Sequence, residues 1–129
     1  MSGKNPNIIY RDLSYKIIGI AYNIFNELGP GHKEKYYQNA FALAFKNQNI
    51  KFKREAYAPL NFNNKTIGKY FLDFEIEEKI ILEIKRGERI SRRDIEQLYA
   101  YLKRKNLKLG LLIRFTERGA IAKRIVNLE

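Results

Sequence analysis

Asp73-Phe74-Glu75-Ile76-Glu77-Glu78-Lys79-Ile80-Ile81-Leu82-Glu83-Ile84-Lys85 reads as two apolar strands joined by a charged turn. Strand side chains alternate between faces, so Glu83 and Lys85 share one face while Ile80, Leu82 and Ile84 pack on the other. A carboxylate and an ammonium on a mostly buried strand carry a desolvation cost unless they serve each other or bind something. The turn at Glu77-Glu78-Lys79 folds the preceding strand back alongside and brings Asp73 to the same place. Two carboxylates and a lysine then meet on neighbouring strands. That combination suits hydrolysis assisted by a divalent metal.

Upstream of this run, Leu13, Ile17, Ile20, Ile24 and Leu28 follow helical spacing and predict an amphipathic helix over residues 12–28. Gly29-Pro30-Gly31 ends it. A second helix is predicted over 33–49, with Tyr37, Phe41, Ala44 and Phe45 as its packing stripe. Strands follow at 51–58, 66–76 and 80–86, with Asn63-Asn64 as the first turn. Ser91 with Asp94 makes a capping-box-like start to a third helix, with Ile95, Leu98, Tyr99 and Leu102 as its stripe and its end near Lys105. Residues 107–115 and 121–126 read as strands. The order ααβββαβ(β), with a crossover after a meander, implies an α/β fold: a mixed central sheet flanked by helices.

The chain has 129 residues and suits a single domain over 1–129, with residues 1–10 expected to form a flexible tail. Hydrophobic content of 45%, with nine Tyr and eight Phe, marks a sequence that folds. No apolar stretch approaches a membrane span and the N-terminus lacks a secretory apolar core, so the expected location is cytoplasmic. Cysteine is absent, which excludes disulfides, thiolate metal sites and cysteine nucleophiles. The single His excludes a multi-histidine site within one chain. Any metal is therefore held mainly by oxygen, which favours Mg²⁺ or Mn²⁺.

With Asp73 on the second strand and Glu83-Ile84-Lys85 on the third, the chain resembles the PD-(D/E)xK nuclease superfamily and its restriction-endonuclease-like core. Gly31-His32-Lys33-Glu34-Lys35-Tyr36-Tyr37 resembles the name-giving motif of the GxxExxY family. Gln97 and Tyr101 resemble the Gln-x-x-x-Tyr motif of the RecB-like and Cas4-like branches. The resemblance runs from about Ile17 to Val126.

It implies that Asp73 and Glu83 ligate the metal, with the Ile84 carbonyl as a further ligand. Lys85 would orient or activate the attacking water and stabilise charge on the phosphate. Glu34 would complete the acidic cluster directly or through a water. Gln97 would hydrogen-bond near the site or toward the nucleic-acid backbone. Each position also has an ordinary reading. Glu83 and Lys85 make a same-face ion pair, Glu34 suits the positive end of its helix, and Gln97 suits a solvated helix face. Tyr37 reads as a packing residue that orients Glu34, Glu75 as a surface residue, and His32 as a loop histidine.

The net charge of +11, from 25 Lys and Arg against 14 Asp and Glu, points to a polyanionic partner. It clusters: five of the nine residues from Lys85 to Arg93 are basic. Arg86, Arg89, Arg92, Arg93, Tyr101 and Arg104 are the candidate nucleic-acid contacts, along the approach to the third helix and one stripe of it. Phosphate contacts of this kind give salt-dependent, largely sequence-independent affinity. The expectation is a metal-dependent nuclease acting on DNA by backbone or structure recognition. The alternative is a nucleic-acid-binding protein that keeps the fold without physiological catalysis, and a third reading is a basic partner for an acidic protein. A domain this small covers little of a duplex, which points to a homodimer through the final strand or the first helix.

Overall fold

The computed structural model describes residues 9–129. Of the tail expected over residues 1–10, residues 1–8 lie outside the described part. Ile9 and Tyr10 do not behave as a tail: both pack against the core, and the Ile9 carbonyl accepts from Arg124 Nη2 at 2.6 Å. The elements are α1 (Arg11–Leu28), α2 (Glu34–Asn47), β1 (Phe52–Phe62), β2 (Lys65–Ile76), β3 (Ile80–Arg86), α3 (Arg92–Lys105), β4 (Leu109–Phe115) and β5 (Ala120–Val126). The expected order holds. Among the described residues no helix is long and apolar enough to cross a membrane.

One five-stranded sheet runs β1-β2-β3-β4-β5. Only the β3–β4 pairing is parallel, because α3 carries the chain back between them; the other pairs are antiparallel. The sheet buries both faces. On one, α1 and α2 cover Phe74, Ile76, Ile80, Leu82, Ile84, Leu111 and Ile113. On the other, α3 covers Ala56, Ala58, Leu72, Ile81 and Leu112. The continuous apolar run of β4 follows from burial on both sides. Gly110 lets α3 approach: a Cβ there would stand 2.9 Å from Leu98 Cγ.

Strand β1 is longer than the 51–58 expected, because it continues with β2 to the turn at Asn63 and Asn64, both at positive φ. Tyr37 fixes the entry to α2. Its hydroxyl donates to the Gly29 carbonyl at 2.7 Å, and its ring stacks on Phe115 at 4.0 Å. It is thus the packing residue expected. Gly29 and Gly31, at φ 74 and 87, allow the bend between the two helices.

Candidate active site at a strand fork

Strand β2 pairs with β3 at only three positions, Ile76–Ile80, Glu75–Ile81 and Phe74–Leu82. Strand β3 meanwhile stays paired with β4 along its full length, from Ile80–Leu109 to Arg86–Phe115. The two strands therefore part at Asp73. Side-chain alternation breaks there as well: Leu72 lies on the α3 side and Phe74 on the α1–α2 side. The neighbouring strand rotates at the same level, from Phe52 on the α1–α2 side to Ala56 on the α3 side, through Glu55 at φ 55. A matched twist in two strands opens the fork and turns Asp73 into it.

Carboxylates take over where the ladder stops. Asp73 Oδ2 accepts from the Ile84 N–H at 2.7 Å, and Glu83 Oε1 accepts from the Asp73 N–H at 3.0 Å. Each strand's backbone thus holds the other strand's acid. The N–H and C=O of one strand residue lie on the same side, so the Ile84 carbonyl also faces the fork. Gln38, on α2, donates to Asp73 Oδ1 at 3.1 Å. Lys85 Nζ lies 3.5 Å from Glu83 Oε2 and 3.8 Å from Asp94 Oδ1, with Asp94 at the start of α3. Two helices and two strands thus converge on one ammonium–carboxylate group.

The electrostatics follow from dryness and crowding. Burial, then the charge of Asp73, push Glu83 from its ordinary 4.5 up to about 8, against the opposing pull of the Asp73 N–H and Lys85. Burial also raises Asp73, although the Ile84 N–H and Lys85 act against it. Burial lowers Lys85, but Glu83, Asp94 and Glu34 together outweigh it, so its pKa is raised and it stays charged. Burial and mutual repulsion thus favour a proton, or a metal cation, shared at this pair.

Of the residues singled out in the sequence, Asp73, Glu83, Ile84 and Lys85 come together as expected. Glu34 stands at the first turn of α2, near enough for its charge to act on Asp73 and Lys85. It does not close the expected acidic cluster by contact, since among the described residues no three His, Cys, Asp or Glu side chains are grouped to hold a metal by themselves. Gln97 lies apart from the carboxylates, on the exposed face of α3, in a shallow cleft with Tyr70, Arg93, Glu96 and Ala100.

Tyr101 corrects the sequence reading. It is fully buried, and its hydroxyl donates to the Tyr57 carbonyl at 3.3 Å. It shares the packing face of α3 with Leu98, three residues before it, and the small side chains of Ala56 and Ala58 leave room for its ring. A ring so placed is not offered to a nucleic acid. The arginines are exposed, with varied commitments. Arg86 donates to the His32 carbonyl at 2.8 Å, Arg92 pairs with Glu96 at 3.3 Å, and Arg104 donates to the Pro59 carbonyl at 3.2 Å. Arg89 and Arg93 sit exposed beside the start of α3. His32 is a loop histidine, bonded through Nε2 to Leu28 O at 2.8 Å.

Two contributors escaped the sequence reading. Gln38 falls one helical turn after Glu34, a spacing that places both on one side of α2 and was available as a signal. Asp94 was read only as part of the α3 cap, a role it also fills by donating its N–H to Ser91 Oγ at 3.2 Å.

The model of the PD-(D/E)XK nuclease superfamily matches residues 11–125 of this chain. Among solved structures, the crystal structure of SSO0001 is similar in fold, with a TM-score of 0.55 and 22% sequence identity. The likeness covers 95% of this chain and 62% of that one, so this chain spans about three fifths of its length. No curated protein matches the chain.

Proposed function

The chain belongs to the PD-(D/E)XK nuclease superfamily, and from that premise we propose that it is a metal-dependent nuclease hydrolysing phosphodiester bonds of DNA. The observation that carries this reading is the fork itself. Asp73 and Glu83, interlocked through each other's strands, face a charged Lys85 in a place too dry for two free negative charges. The donor set suits a hard cation: two carboxylates and the Ile84 carbonyl would hold Mg²⁺ or Mn²⁺, with Glu34 reaching it through a water. Such a cation supplies a water of lowered pKa and polarises a phosphoryl oxygen.

The remaining work falls to the chain's own groups. Lys85 stabilises negative charge developing on the phosphate and orients the attacking water, and Asp94 with Glu83 keeps it in place. Gln38 holds the Asp73 carboxylate in one orientation. Arg86, Arg89, Arg92, Arg93 and Arg104 form the basic approach, with Gln97 beside Arg93, and contact backbone rather than base edges. The pattern Gly31, Glu34, Tyr37 supports a place among the GxxExxY proteins. In this reading the protein acts in the cytoplasm, as a homodimer through β5 or α1.

A second reading has one observation in its favour. Both Asp73 oxygens and one of Glu83 already accept bonds from the protein, an arrangement that also serves a binding protein without turnover. Linear, circular, single-stranded and branched DNA incubated with Mg²⁺ or Mn²⁺ separates the two, with Asp73→Ala as control. Cleavage that needs both the metal and Asp73 is the expected result. Cleavage undiminished in the variant removes the proposed site, and binding without cleavage of any substrate favours the second reading.

A further inference from the structure

The β1–β2 ribbon outruns the sheet. Strand β2 leaves β3 beyond Phe74, yet β1 and β2 stay paired to the Asn63–Asn64 turn. One face of this ribbon is covered by α3, where Ala56, Ala58 and Leu72 are buried. The opposite face carries Tyr57 and Phe71, cross-strand partners whose ring centroids lie 5.7 Å apart. They are 46% and 50% exposed. Lys69 Nζ stands 5.9 Å from the first ring centroid and 5.5 Å from the second. Phe71 also lines one cleft together with Asp73, Gln38, Arg54, Glu55 and Leu72. An aromatic platform with its own cation thus shares a cleft with Asp73, at the edge of the carboxylate fork.

We propose that this face stacks the unpaired bases of single-stranded DNA and feeds the adjoining phosphate to Asp73 and Glu83. The proposal names the substrate class of the site and rests on its nuclease reading. Every base has a π-face, so stacking on aromatic rings is strong and tolerant of sequence. In a duplex those faces are already stacked on one another, and the platform gains nothing. Lys69 and Arg54 supply cations for the intervening phosphates, and the ribbon, backed by α3, holds both rings in place before binding. A second copy of this chain is the less suited occupant of this face, because a two-fold contact across the rings would set Lys69 against its own counterpart.

The test is fluorescence anisotropy of a labelled oligodeoxynucleotide, single-stranded and as a duplex of equal length, in EDTA so that nothing is cut. Tyr57→Ala and Phe71→Ala each weaken single-strand binding roughly tenfold and change duplex binding less than about twofold. Tyr57→Phe, which keeps the ring, binds as the parent does, and thermal melts show that the variants remain folded. Single-strand affinity unchanged in both alanine variants overturns the proposal, as does equal weakening for both forms of DNA. Sedimentation that shows a dimer abolished by Phe71→Ala, with single-strand binding intact, assigns the face to a second copy and also overturns it. If the parent protein cuts nothing with Mg²⁺ or Mn²⁺ while ring-dependent single-strand binding persists, the platform stands and the nuclease reading falls.

Discussion

Replacing Glu83 by Gln tests the central physical claim, that the fork cannot carry two bare negative charges. In the folded protein Glu83 holds its proton up to about pH 8, whereas an unfolded chain releases it near 4.5. The folded state therefore binds a proton that the unfolded state does not. Its stabilising effect is complete below about 4.5 and is lost as the pH climbs through about 8. At about 1.4 kcal/mol per pH unit, the gap between 4.5 and about 8 corresponds to an upper limit of about 5 kcal/mol. Water entering the fork relieves part of that, and we expect at least about 2 kcal/mol to remain. Asp73, also raised, adds a slope of the same sign. Glutamine keeps an oxygen for the Asp73 N–H and has no charge to lose. Urea denaturation in EDTA from about pH 5 to about pH 9 should show the parent weakening steeply and Glu83→Gln weakening only by the smaller slope that Asp73 leaves. Parallel curves for the two proteins would refute the reasoning.

Other outcomes follow from the same geometry. Above pH 8, Mg²⁺ or Mn²⁺ at a hundredfold excess over its Kd should stabilise the parent by about 2.7 kcal/mol in thermal melts and leave Glu83→Gln nearly unmoved; an equal response in both places the metal elsewhere. Gln38→Ala removes the donor to Asp73 Oδ1, and should lower stability by about 1 kcal/mol by chemical denaturation and slow cleavage roughly tenfold. Tyr101→Phe should lower stability by about 1 kcal/mol through loss of the bond to Tyr57, with DNA affinity unchanged in a binding titration. Gly110→Ala should destabilise by about 1–3 kcal/mol, because its Cβ meets Leu98 Cγ. In the double variant with Leu98→Ala the two losses should fall short of additive, as a double-mutant cycle will show.

Glu83 and Lys85 are legible because strand alternation is a local property, and the faces it assigns to Ile80, Leu82 and Ile84 match the structure. Asp73 is legible through the three-residue turn that folds its strand back, although alternation itself breaks at that residue. Glu34 was legible as an acid at a helix start, but its distance from the carboxylates was not. Tyr101 was misplaced because its spacing from Gln97 and Arg104 on α3 looks like one polar stripe. The ring is drawn inward by what lies across from it, Ala56 and Ala58, more than forty residues earlier in the chain. Gln38 was missed because a helical glutamine carries no charge or apolar pattern to mark it.

Element order, the three turns and the acid–base residue types belong to the chain as written, since periodicity, glycine placement and side-chain chemistry act between near neighbours. Packing settled the rest: where β2 leaves β3, which backbone N–H each carboxylate receives, and which side of the ribbon stays open. Those outcomes hang on partners far apart in sequence, such as Gln38 with Asp73 and Tyr101 with Tyr57. A strand's pattern states which face is buried, but the point at which its pairing stops depends on everything packed around it.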